Sequence, residues 1–150
     1  MHYLLDTNII SYLADENSPY RAIIKDKFLN LSQDDKVSVS IVTLYELSYG
    51  LHSFDSSDEN AAILKKGITF IQEYLDVIPL GVHEVDIFGL LKAKYKKATG
   101  IPNKAHKKND LDFLILATAI HHNTTLVSND DIFTKMIEIE PRISYENWLQ

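Results

Sequence analysis

The sequence contains no cysteine. Disulfides, thiolate metal ligands and a thiol nucleophile are therefore excluded, and a reducing compartment is permitted. It also lacks any apolar run near the roughly 20 residues that a membrane-spanning helix requires. The opening MHYLLDTN meets an aspartate at position 6, too early for the apolar stretch of a signal peptide. Neither G-x-x-x-x-G-K-[ST] nor G-x-G-x-x-G occurs, which removes the two standard phosphate-cradling loops. There is no internal repeat, low-complexity tract or linker. The expectation is one cytoplasmic domain over residues 1–150, long enough to bury roughly two-thirds of its unfolded surface.

Positive charge is also scarce. Fifteen lysines and arginines face 21 aspartates and glutamates, a net charge of −6. That balance opposes binding to phosphate backbones unless cations arrive or the lysines are concentrated in one place. They are concentrated: Lys92, Lys94, Lys96, Lys97, Lys104, Lys107 and Lys108 fall within one stretch.

Strand-like and helix-like patterns alternate along the chain. HYLL (residues 2–5) reads as a buried strand ending at Asp6, and Asn8 can cap a helix through Ile9, Ile10 and Leu13. Residues 19–31 suit a helix opening at Pro19. VSVSIV (37–42) is the clearest strand, rich in β-branched residues, and Thr43 with Glu46 matches a capping box for the next helix. A polar loop at 53–59 precedes a long helix to about Leu75, then a strand at 77–81. A lysine-rich helix from about His83 to Ala98 carries Val85, Phe88, Leu91 and Tyr95 on one face. After a loop at 99–109, residues 110–122 form a helix apolar on nearly every side, hence central. TLVS (125–128) is a fourth strand, Asp130 or Asp131 opens a short helix, and the tail supplies a fifth strand. This alternation predicts an α/β fold with a mainly parallel sheet flanked by helices.

In such sheets, functional groups gather at the carboxyl edge, where strands end and helices begin. Asp6, Glu46, Asp112 and Asp130 all lie at strand-to-helix junctions or in early helical turns. Parallel strands would bring them together. Clustered carboxylates repel one another and must take up protons or hold cations, and oxygen-only ligands suit Mg²⁺ or Mn²⁺. A cation so held acidifies bound water and neutralises charge on a phosphate, so phosphodiester hydrolysis is the reaction class to expect. Each acid also has a structural reading: Glu46 in a capping box, Asp130 as a helix cap, Asp112 favouring a helix dipole. Asp6, directly after an apolar strand, most needs a partner. An aspartate-nucleophile phosphatase would require a second aspartate two residues on, where Asn8 stands.

YLLDTNIISYL, SIVTLYELSYGL, NDLDFLILATAI and TLVSNDDIF, in this order, resemble the four motifs of the PIN-domain family. Within it, the VapC-type toxins of toxin–antitoxin pairs are the nearest in character. The resemblance spans the chain and maps onto Asp6, Thr7 and Asn8, then Glu46, then Asp112, then Ser128 and Asp130, with Asp131 a rival for the fourth acid. It implies a PIN-like fold, Mg²⁺ or Mn²⁺ as cofactor, endonucleolytic cleavage of RNA, a cognate antitoxin that blocks the site, and a homodimer. The alternative is a PIN-like module without activity that only binds RNA or protein.

Around these acids, Asn8 could orient Asp6 or a metal-bound water, and Ser128 could hold Asp6 or Asp130. Lys104, Lys107 and Lys108 could meet substrate phosphates or form a solvated loop. Lys92, Lys94, Lys96 and Lys97 read as a wet helix face. Tyr45, Tyr49 and Phe54 could stack on bases, or pack against a partner or the core. His121 and His122 close a helix, where cationic character is favoured, and receive no metal in this reading.

Overall fold

A computed structural model describes residues 1–102 and 107–150. In chain order it contains β1 (His2–Leu5), α1 (Thr7–Ala14), α2 (Arg21–Leu29), β2 (Lys36–Ser40), α3 (Ile41–Ser53), α4 (Glu59–Tyr74), β3 (Asp76–Ile78), α5 (Glu84–Thr99), α6 (Asp110–His121), β4 (Thr125–Val127), α7 (Asp131–Ile139) and β5 (Ser144–Glu146). The five strands form one sheet in the order β3-β2-β1-β4-β5. Every pairing is parallel. The chain builds outward from β1 to β2 and β3, then returns across β1 to add β4 and β5. Strand order therefore reverses between β1 and β4, the place where a crevice opens at the carboxyl edge of such sheets.

The strands are short, apolar and covered on both faces, as parallel strands require. Alternate residues of β1 serve opposite layers. Leu4 joins Leu126 in a core with Leu91, Phe113, Leu116 and Phe133 from α5, α6 and α7. Tyr3 and Leu5 join Val39 and Val127 in a second core with Ile10, Ile24, Leu47 and Ile71. Helix α6 is as central as its composition predicts, with Phe113 and Ile115 to Ala119 all buried. Trp148 secures the tail, packing edge-on against Tyr3 and Phe28.

Local chemistry moves several boundaries. Strand β2 stops at Ser40, whose hydroxyl accepts the N–H of Val42 and caps α3. Ile41 and Val42 are helical despite their β-branching, because the cap and burial against the sheet outweigh propensity. Thr43 is thus the third residue of α3, and the expected capping box with Glu46 does not exist. Asp6, not Asn8, caps α1, accepting the Thr7 N–H at 2.7 Å. Helix α2 begins at Arg21, beyond Pro19. On α5, Leu91 and Tyr95 are buried but Val85 is exposed. Nor is the lysine face merely wet: Lys92 pairs with Asp110 at 2.6 Å and Lys94 with buried Glu140 at 2.9 Å. Among the described residues, no helix is long and apolar enough to cross a membrane.

Helices α1 and α4 approach closely at Gly67, where an added Cβ would sit 3.2 Å from Ile10 Cγ2 and 3.7 Å from Ala14 Cβ. Gly67→Leu should therefore destabilise the fold by about 1–3 kcal/mol through overpacking. The measure is a lower urea midpoint with an unchanged slope.

Candidate active site

The Asp6 N–H donates to the Val127 carbonyl at 3.0 Å, carrying the β1–β4 ladder one residue past the strand. That bond sets the Asp6 side chain in the crevice between the two strand ends. The carboxylate is 4% exposed and takes two donors. Thr7 N–H reaches Oδ1, and the buried Ser128 hydroxyl reaches Oδ2 at 2.8 Å. Ser128 Oγ in turn accepts the Asp130 N–H at 3.1 Å. Asp130 caps α7, its Oδ1 accepting the Ile132 N–H at 3.2 Å. Residues 122 positions apart thus share one short hydrogen-bonded chain.

Glu46 enters from α3. Thr7 Oγ1 donates to Glu46 Oε1 at 2.6 Å and lies 3.2 Å from Thr43 Oγ1. One residue therefore bridges the first two acids, with its backbone on Asp6 and its hydroxyl on Glu46. Asp112 comes from the first turn of α6 and is half-buried. It lines a cleft of about 420 Å³ with Lys108, Asn109, Asp130, Asp131 and Lys135 among its walls.

Burial and mutual charge set the titration of these groups. Burial pushes the Asp6 carboxyl up to about 6; the Ser128 and Thr7 bonds oppose this, while Glu46 and Asp130 add to it. Burial, then the charges of Asp6, Asp130 and Glu46, push Asp112 up to about 7. Glu46 is also raised by burial, against the pull of its Thr7 bond. No described donor bonds the Asp112 carboxylate, and burial together with the charges of Asp6, Asp130 and Glu46 disfavours its ionised form. An oxygen-only donor set with uncompensated negative charge fits a hard divalent cation. The N-termini of α1, α6 and α7 face the same edge and offset part of the charge.

The structure thus brings Asp6, Glu46, Asp112 and Asp130 together, with Ser128 between two of them. Asp130, the cap of α7, acts on Asp6 and Asp112, whereas Asp131 is exposed at the start of that helix. Asn8 is half-buried within α1 and has no part in the hydrogen-bonded chain. Lys108 lines the cleft, Lys107 is exposed beside it, and Lys104 lies outside the described residues. Tyr45 and Tyr49 on α3 and Phe54 at its C-cap are exposed, which excludes the core as their packing partner. Sequence reading missed Lys135, one helical turn beyond Asp131 and hence on the same wall as the acids. The bridging role of Thr7 was legible only as part of a motif.

The family model for the PIN domain matches residues 3–138. The chain belongs to the PIN-domain family. It is similar to the ribonuclease VapC2 of Rickettsia felis, with 28% identity over 152 residues that cover 99% of this chain and 98% of that one. Among solved structures, it resembles a chain of VapBC2 from Rickettsia felis bound to a DNA fragment from the complex's promoter, at a TM-score of 0.73 and 25% identity, covering 99% of each chain. It also resembles a chain of VapBC-1 from nontypeable Haemophilus influenzae, at a TM-score of 0.72 and 25% identity over the full length of both. The fold of this PIN domain is thus the expected one, five parallel strands between helical layers.

The raised acids make stability depend on pH in a definite direction. The folded state holds these protons more tightly than the unfolded chain, whose carboxyls titrate near 4. Without metal, stability should therefore fall as pH rises from about 4 through the folded value of about 7 for Asp112. Asp112→Asn should raise metal-free stability at pH 8 by about 1–3 kcal/mol, allowing for the screening of a partly exposed group. Denaturant melts of parent and variant across this range are the measurement, and a flat difference would contradict the electrostatic account.

Proposed function

We propose that this PIN domain is a metal-dependent endoribonuclease, the VapC-like toxin of a type II toxin–antitoxin pair, hydrolysing RNA phosphodiester bonds at the carboxylate cluster. The observation that carries the reading is the gathering of Asp6, Glu46, Asp112 and Asp130 at one sheet edge, where burial and their mutual charge raise Asp6 and Asp112. These four would hold Mg²⁺ or Mn²⁺. When bound, such an ion supplies an acidified water and neutralises charge developing on the phosphate. The rest is the work of the chain itself. Ser128 and Thr7 fix the orientation of the Asp6 carboxylate, and the Thr7 hydroxyl fixes Glu46, so the ligand oxygens stand ready before substrate arrives. Lys108 and Lys135, on the walls of the cleft, are placed to meet phosphate oxygens and draw the backbone in despite the net charge of −6. Exposed Asp131 contributes negative charge at the rim.

The similar chains of known structure come from structures named VapBC2 and VapBC-1, which supports an antitoxin as partner. This chain also has an apolar groove of about 590 Å³, away from the acids, lined by Leu13, Phe28, Leu29, Phe70, Tyr74 and Leu75. Leu29 and Tyr74 stand exposed beside it, an apolar face suited to a helix of such a partner. A homodimer and a cytoplasmic location accord with the same reading. The alternative of an inactive binding module is less favoured, because all four acids and their supporting hydroxyls are retained.

Asp6→Asn and Asp112→Asn should each reduce RNA cleavage by roughly 100-fold or more while the circular dichroism spectrum is unchanged. Thr7→Val, which frees Glu46, should cost about 10–100-fold, with Thr7→Ser restoring most of it. Mn²⁺ should raise the pH 8 melting temperature of the parent but not of an Asp6→Asn/Asp112→Asn double variant. Antitoxin-free protein that binds Mn²⁺ yet cleaves no RNA would favour the inactive module instead.

A further inference from the structure

At the opposite edge of the sheet, away from the carboxylates, lies a second cluster of ligating side chains. His121 is the last residue of α6 and His122 its C-cap, a short turn before β4, so they stand at the amino edge. Glu84, at the start of α5, is 3% exposed and directed to the same place. Its Oε2 accepts the Gly81 N–H at 2.9 Å, and its Oε1 lies 3.3 Å from His122 Nε2. One donor atom from each of Glu84, His121 and His122 can be chosen so that all three lie within 4.8 Å of one another.

We infer that Glu84, His121 and His122 form a second metal site, for zinc or a similar borderline divalent ion. Three features favour a ligand set over a simple ion pair. The carboxylate is buried and held in place by a backbone N–H, so it is oriented before any cation arrives. Neither ring nitrogen of His121 has a described hydrogen-bond partner. The His121 ring is nevertheless positioned, stacked on His83 at 5.2 Å with 14° between planes and edge-on to His122 at 4.7 Å. Two imidazoles and one carboxylate are a common zinc donor set that leaves a coordination position to water. Zinc bonds of about 2.0–2.2 Å draw ligand atoms to roughly 3.5 Å apart. Both imidazoles are exposed, so closing that difference displaces no core side chain.

The two sites sort cations by donor chemistry. Imidazole nitrogen selects zinc, nickel or copper, whereas carboxylate oxygens alone suit magnesium or manganese. Bound zinc would tie the β3–α5 loop to the α6–β4 turn. It would stabilise the fold by mass action without entering the carboxylate cleft. Reading His121 and His122 from sequence gave no reason for a metal, because Glu84 is 37 positions from the nearer histidine.

The test is calorimetric titration of Zn²⁺ into the full chain carrying Asp6→Asn and Asp112→Asn, which removes the competing acid site. One Zn²⁺ should bind per chain, and Mg²⁺ should not replace it. His121→Ala or His122→Ala should each weaken binding by roughly 100-fold or more, since even the outer partners of a metal ligand are worth about 10–100-fold. Both histidines are exposed, so these variants keep the fold, whereas Glu84→Gln disturbs a buried bond and serves only as a secondary check. Zn²⁺ should also raise the melting temperature of the acid-site variant and leave that of its histidine variants unchanged. With Asp6 and Asp112 intact, His121→Ala should cleave RNA in Mg²⁺ at the parental rate, so failure here and failure of the nuclease reading are separable. No Zn²⁺ binding, or binding that survives both histidine substitutions, would overturn the inference.

Discussion

The parallel seam between β1 and β4 is the constraint on which the rest of the molecule depends. The register pairs Leu5 with Val127, and the Asp6 N–H extends the ladder to the Val127 carbonyl. That alignment puts Asp6 and Ser128 level with each other, so a buried 2.8 Å hydrogen bond joins two ends of the chain. A slip of one residue would turn Leu4 and Leu5 to the wrong layers and separate the two partners at once. Core packing and site assembly are therefore one requirement.

The site is built against electrostatic preference. Asp6 and Asp112 are held where burial and neighbouring charge favour the protonated form, and only hydroxyls, backbone N–H groups and helix N-termini offset the cost. A protein can sustain that strain only where a rigid core over-determines the positions, and here both layers pack onto the same strands. The contrast with Glu140 is instructive. Arg142, and then Lys94, hold that buried carboxyl down to about 2, so it is a finished ion-pair network with no capacity left for a ligand. Similar residue types thus reach opposite ends of the titration range according to what the fold places beside them.

Much of this was legible in the sequence. Short apolar or β-branched runs located the strands, and helical spacing located most helices within a few residues. The four acids stood out jointly, by lying at strand-to-helix junctions or in early helical turns, with Asp6 directly after an apolar strand the hardest to leave unpartnered. Caps were less legible: Ser40 and Asp6 displaced Thr43 and Asn8, since several adjacent residues could each satisfy the same backbone donors. The carboxylate cluster and the Glu84–His121–His122 cluster differ in the same respect. Strand-end motifs announce the acids, but nothing local links Glu84 to His121 and His122.

The sequence alone determined the class of fold, the list of acids and the absence of thiol or nucleotide-loop chemistry, because these follow from residue type and short-range periodicity. Only the tertiary structure decided that Asp130 rather than Asp131 joins Asp6 through Ser128, that Thr7 bridges Asp6 and Glu46, and that Lys135 lines the cleft. Those facts depend on strand order and on helix phase against the sheet. Both are set by packing between residues far apart in the chain, which no local pattern encodes.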